Sequence, residues 1–318
     1  MGNTKLLNIV YTAAHIGING ENFSYQFNIE KGGPDSLVFD NKEWLYRIPK
    51  PIFWRATTDN DRGNEFSIKS AQWLGADLFT KCIKCKIKVD EENIPVPYQG
   101  RFNDYPLEAR QVELSYLFQT PTNPKTEVRI NYLVNSSGAI EIDSKFYGKK
   151  GLPELPVFGL QFVMPTEAVG YEYEGLSGEI YPDRMEGAAT GKYLIEGLPL
   201  TKYLVPQDCQ VRMQTERLEI LRQHTLNNAD HEDNLFKLDF LQLDKPFAFS
   251  CLPYTAEEIE NATHIEELPV KRRTVVSILG AVRGVGGINS WGAEVDSKYR
   301  ILSDKDIEFK FVISGNIK

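Results

Sequence analysis

Cysteine and histidine are scarce in this sequence, with four of each in 318 residues. Four cysteines make no disulfide framework, and a chain this long buries a core without one. No apolar stretch approaches the roughly 20 residues that cross a bilayer as a helix. The opening residues, Met1-Gly2-Asn3-Thr4-Lys5, lack the basic, apolar and small-residue regions of a secretory leader. Leu6 stands where myristoylation of Gly2 wants Ser or Thr. These absences predict a reduced, cytoplasmic protein. Positive charge is also in deficit, 36 Lys and Arg against 44 Asp and Glu, for a formal charge of −8. Nucleic-acid binders carry a basic balance or stripe. The densest basic run, Lys81, Lys84, Lys86 and Lys88, alternates with Cys82, Cys85 and Ile87 and reads as the wet edge of a strand. Neither nucleic acid nor membrane is an expected partner. Signatures of nucleophiles and phosphate cradles are missing too: no GxSxG, HExxH, GxxxxGK[ST], or GxGxxG after a strand. No catalytic residue and no metal ligand is assigned.

What the sequence does have is alternation. Phe23, Tyr25, Phe27 and Ile29 follow Asn19-Gly20, a hairpin signal. Val112 to Phe118 and Val128 to Val134 keep the same beat, and Ser136-Ser137-Gly138 turns into Ile140 and Ile142. Phe236, Leu238, Phe240 and the final Ile307, Phe309, Phe311 and Ile313 repeat it. Strands apolar on one face must pack sheet against sheet. Helical signals are few. Apolar residues between Asn64 and Phe79 suit two or three turns, and Thr255-Ala256-Glu257-Glu258 is a capping box opening a short helix. The strands on either side of Glu91–Asn103, the nearest candidate break, are alike. The expectation is an all-β chain with one or two short helices, residues 1–318 forming a single sandwich domain.

Few constellations suggest chemistry. Cys82-Ile83-Lys84-Cys85 is a lone CxxC; in regular strand geometry the two thiols face opposite sides and read as small hydrophobes. His224, His231 and the acids of Asn227–Asn234 read as a solvated loop. Thr58-Asp59-Asn60-Asp61-Arg62-Gly63 lacks the ligand spacing of a calcium loop and reads as an Asx-rich turn. Trp291, between glycines in Gly286-Gly287-Ile288-Asn289-Ser290-Trp291-Gly292, is either a stacking platform for a sugar or a plug in a sandwich end.

Several of these segments resemble a known family. Arg55–Gly63 resembles the RAPxDND-G segment opening the last domain of the large bacterial β-galactosidases of glycoside hydrolase family 2. Tyr181-Pro182-Asp183-Arg184 is similar to that domain's YPDR turn, and Tyr203-Leu204-Val205-Pro206-Gln207 to its YxxPQ strand. Leu252-Pro253-Tyr254-Thr255, with Glu258, Glu260-Asn261-Ala262, His264 and Glu267-Leu268-Pro269, matches its LPYT signature. Gly284-Val285-Gly286-Gly287 and Ser290-Trp291-Gly292 complete the set, in family order. The family's GGDDSW lacks both acids here, where Ile288 and Asn289 stand, but Trp291 is kept.

With nothing before its own Met1, the chain resembles the small subunit of the two-subunit β-galactosidases of lactic acid bacteria. The resemblance implies a large antiparallel β-supersandwich of the galactose-mutarotase type. It implies one half of a heterodimeric β-galactosidase, hydrolysing terminal β-D-galactose from substrates such as lactose with retention. Both catalytic carboxylates, and a divalent metal such as Mg, would then belong to the large subunit, with no cofactor in this chain. Trp291 is the substrate-binding residue it implies. Arg55, Asp59, Asn60 and Asp61 either line the subunit interface or hold a turn. A stand-alone carbohydrate-binding module, and an aldose mutarotase working through paired histidines and a carboxylate, are the alternatives.

Overall fold

Period-two burial carries through to the structure, a computed structural model describing residues 6–97 and 104–315. In Gln111–Gln119, Glu127–Asn135 and Ile140–Phe146 every second residue is buried, so each strand has one dry face. The strands form three antiparallel sheets. A ten-stranded sheet runs from Thr190–Glu196 at one edge, through Gly170–Leu176, Arg217–Arg222, Phe236–Gln242 and Ile307–Ser314, into the three strands just named. It ends on Lys81–Val89 and the short Glu92–Ile94.

Two smaller sheets share its dry face. The six-stranded N-terminal sheet covers one half: Phe27 meets Tyr132 edge-on at 5.5 Å between ring centroids, and the Tyr25 hydroxyl donates to the Gly138 carbonyl. The five-stranded sheet, from Arg212–Thr215 to Arg47–Ile52, covers the other half, with Phe162 against Phe240 at 5.3 Å and Phe249 against Tyr171 at 5.6 Å. One apolar core runs through all three sheets. The expected antiparallel supersandwich is what the chain builds.

Three details differ from expectation. Among the described residues there are four short α-helices, not one or two: α1 (Asp59–Gly63), α2 (Phe66–Lys69), α3 (Ala76–Phe79) and α4 (Ala256–Asn261). The 64–79 stretch is three single turns, within the two or three expected: left-handed Glu65, at φ 61°, sets the first apart from α1, and left-handed Gly75, at φ 68°, sets the last apart from the 3-10 turn Ala71–Trp73. Phe66 and Trp73 point inward, while Leu74 and Leu78 lie outside. Tyr203–Gln207 is irregular backbone, not a strand. The two cysteines of the CxxC share a face. A bulge within Lys81–Val89 pairs Cys82 with Phe118 and Cys85 with Tyr116, both inward residues. They are half-buried small hydrophobes, as read, and burial pushes the Cys85 thiol up to about 12.

Of the 91–103 stretch, residues 98–103 lie outside those described. Among the described residues the Lys81–Lys86 stretch has no partner on its outer side, since Glu92–Ile94 pairs only with Ile87–Val89, and its lysines are exposed.

Candidate functional site

The recognised segments, far apart in sequence, meet at one cluster of loops. Its base is Asp61. Thr58 caps α1 and Asp61 completes the capping box, accepting from the Thr58 amide at 3.1 Å. The same carboxylate takes Arg55 Nη1 at 2.7 Å and Arg283 Nη1 at 3.4 Å. All three side chains are at most 5% exposed. Burial opposes the charge on Arg55, but Asp61 and Asp208 outweigh it and hold the guanidinium protonated. Arg283 lies 3.8 Å over the Phe66 ring and reaches Glu154 and Glu294 at 3.5 and 3.6 Å. Burial pulls its pKa down. One carboxylate thus anchors two buried cations, a structural arrangement that fails if the anion is removed.

The other segments dock on this base. The Asp59 amide donates to Gln207 Oε1 at 2.6 Å, and Arg62 reaches the Pro206 carbonyl, so α1 is clasped by the 203–207 segment. The Tyr181 hydroxyl donates to half-buried Asp208 at 2.8 Å; burial pushes that carboxyl up to about 6. Glu260 of α4 accepts from the Trp54 indole and from the amide and hydroxyl of Thr57, tying the LPYT helix to the strand that leads into α1.

The loop carrying Trp291 is held by the same cluster. The Asp183 carboxylate accepts from the amides of Val285 and Gly286 at 3.0 and 2.7 Å, and Arg184 donates to the Gly286 carbonyl. Asn60 donates to the Val285 carbonyl at 3.0 Å. Two glycines are required: a Cβ at Gly287 would lie 2.6 Å from Asn60 Nδ2, and one at Gly292 2.5 Å from the Gly63 carbonyl, both at positive φ. At the tip, Asn289 Oδ1 accepts from the amides of Trp291 and Ala293, fixing the turn. Trp291 is 91% exposed, so it plugs nothing. Ile288 beside it is exposed as well.

Arg55 and Asp61 therefore hold the turn, while Asp59 and Asn60 lie at the surface. Arg283 went unremarked in the sequence; a lone arginine ending the apolar strand Thr274–Val282 was its only signal. The remaining candidates stay apart. Asp230 and Glu232 of the 227–234 loop both pair with Lys42. His15 bonds Asp35, and His264 bonds Glu267 at an unrelated place. No three His, Cys, Asp or Glu side chains among the described residues come together to hold a metal ion. The carboxylates of the cluster are engaged with protein donors, so what it offers a ligand is an aromatic face on a braced loop.

Comparison with known proteins follows the same line. Residues 19–313 match the family model described as β-galactosidase small chain. The chain is 51% identical to the β-galactosidase small subunit of Latilactobacillus sakei, covering 99% of this chain and 100% of that one. It is 32% identical to a β-galactosidase of Halalkalibacterium halodurans, covering 97% of this chain but only 28% of that longer protein. Among solved structures, a galactose mutarotase-like protein from Lactobacillus casei aligns at 8% identity and a TM-score of 0.42, over 94% of this chain and 99% of that one. The chain belongs to the β-galactosidase small chain family.

Proposed function

We propose that this chain is the small subunit of a heterodimeric β-galactosidase that removes terminal β-D-galactose from β-galactosides such as lactose. The observation that carries the reading is the pair of matches above. The chain spans the whole of a protein named as a small subunit and about a quarter of a longer β-galactosidase. What one protein holds in a single chain, the other divides. Retaining hydrolysis needs two carboxylates, one protonating the leaving oxygen and one taking the galactosyl group. In this reading both come from the large subunit, as does any divalent cation such as Mg. This chain closes one wall of the cleft and presents Trp291, whose indole stacks on the apolar face of the sugar. The cysteines, all free, suit the cytoplasm.

The test is hydrolysis of a chromogenic β-galactoside by this chain, by a large chain, and by the two co-expressed. Activity in the co-expressed pair alone, with co-elution on sizing, is the expected result. Full activity in the large chain alone would leave this protein an accessory sugar-binding module. Activity in this chain alone would mean that it carries the carboxylates itself.

A further inference from the structure

The three turns between residues 66 and 79 carry an apolar ridge. Ile68, Leu74, Leu78 and Phe79 are 74%, 48%, 52% and 69% exposed, four large side chains within twelve residues. Single exposed hydrophobics are ordinary, but several gathered on one short segment suit a contact surface. The ridge is rigidly seated: the Trp73 indole donates to the Pro153 carbonyl and the Ser70 hydroxyl to that of Glu154, so the outward residues are held outward. At its far end, past Thr80, it opens into a cleft of about 750 Å³ whose wall carries Lys31, Arg47, Lys50 and Lys81. The cleft's two acids are Glu30 and Asp35, and Asp35 is taken by His15 and Asn28. Lys31, Lys50 and Lys81 make no ion pair within 4 Å among the described residues, and a further acid, the buried Asp77 of α3, is one on which the charges of Lys50 and Arg47 act. A chain of net charge −8 thus gathers four basic side chains in one cleft beside its apolar ridge.

We infer that this ridge and cleft are a docking surface for the large subunit, which lays an apolar groove on Ile68–Phe79 and an acidic segment in the cleft. The inference rests on the proposed function for the partner's identity; the place comes from two features. Charge complementarity asks for carboxylates opposite Lys31, Lys50 and Lys81. Continuity sets the position: α2 follows α1 directly, and Lys69 bonds both the Asn64 carbonyl and Glu294 of the Trp291 loop, so a body covering Trp291 extends onto the ridge. The longer relative, of which this chain matches 28%, has ample polypeptide to reach both.

The test uses the co-expressed complex. Leu78→Glu with Phe79→Glu, and separately Lys50→Glu with Lys81→Glu, should each weaken retention of the large chain at least tenfold, with unchanged circular dichroism. The lysine pair should also remove most of the salt sensitivity of assembly. Leu194→Glu, exposed on the opposite edge strand of the ten-stranded sheet, should assemble as wild type. Amide exchange at residues 66–86 should slow in the wild-type complex. Wild-type affinity in both double variants, or no protection at 66–86, overturns the surface and leaves the function standing. Equal loss in Leu194→Glu overturns it too. Failure of the wild-type chains to associate would instead overturn the proposed function, and the surface with it.

Discussion

At the base of the loop cluster Arg55, Asp61 and Arg283 are almost sealed from water, while at its tip Trp291 is 91% exposed. Both belong to segments that carry the family resemblance, yet they do opposite work. The base is polar and buried, and every charge in it is answered by another protein group. The tip is apolar and exposed, and nothing among the described residues stacks on its indole. A recognisable segment therefore need not touch a ligand: here most such residues brace a loop, and the bracing lets one large hydrophobe stand in solvent with its backbone fixed.

The comparison breaks most readily at Asp61. Asp61→Ala leaves two buried guanidiniums without their shared anion and should cost about 3–5 kcal/mol in urea unfolding. Asp61→Asn keeps an acceptor for the Thr58 amide but not the charge, and should recover less than half of that loss. A cost under about 1 kcal/mol would mean that the base does not hold the cluster. Glu260→Ala comes next. It strips the acceptor from the Trp54 indole and from both donors of Thr57, and about 2–3 kcal/mol is expected by the same measurement.

Gly287→Ala probes the joint between base and tip. Its Cβ would sit 2.6 Å from Asn60 Nδ2 at a φ of 74°, so the loop must shift. About 1–2 kcal/mol is expected. In the assembled enzyme the variant should copy the kinetic defect of a missing Trp291, since the indole would be present but misplaced.

Asp208 sharpens the comparison through pH. Burial raises its carboxyl to about 6 in the folded chain, above the usual 3.9 or so of an unfolded aspartate. Between those values the native state binds a proton that the unfolded state has released. Its contribution is present in acid and lost as pH rises through roughly 4 to 6. Asp208→Asn should therefore match wild type near pH 4 and exceed it by on the order of 1 kcal/mol at pH 7, read from thermal midpoints across that range. A gain that is flat with pH would remove the carboxyl from the account.

Legibility followed the same division. Strands were readable because their apolar residues alternate: Val112 to Phe118 and Ile140 to Phe146 bury the residues that the period marks. The turns of the 64–79 segment were readable but their separation was not, because apolar spacing does not report a left-handed Glu65 or Gly75 or that Leu74 and Leu78 face outward. The CxxC was misread because a bulge has no sequence marker at Ile83-Lys84, and one extra residue turns a thiol to the other face. At the cluster, the segments were visible but their meeting was not. Arg55 and Arg283 are 228 positions apart in the sequence, and both reach Asp61 only because the sheets bring their strand ends together. Trp291 was legible as an aromatic between glycines, though only the fold shows that it stands in solvent and is not a plug.

Trp291→Ala should have the smallest effect on stability and the most specific effect on function. An indole exposed to this degree contributes within about 0.5 kcal/mol, so the unfolding midpoint should not move measurably. If the indole meets the sugar in both ground and transition states, its loss removes binding common to the two, and KM rises while kcat holds. Stacking worth about 0.5–1.5 kcal/mol corresponds to a roughly two- to tenfold change in KM. Transfer of galactose to acceptor sugars should fall relative to hydrolysis, because water needs no platform and an acceptor does. Trp291→Phe, which keeps a smaller ring face, should fall between. If KM and the transfer ratio are unchanged in an intact complex, the tip is only a well-braced loop, and the contrast between base and tip is one of exposure without a division of labour.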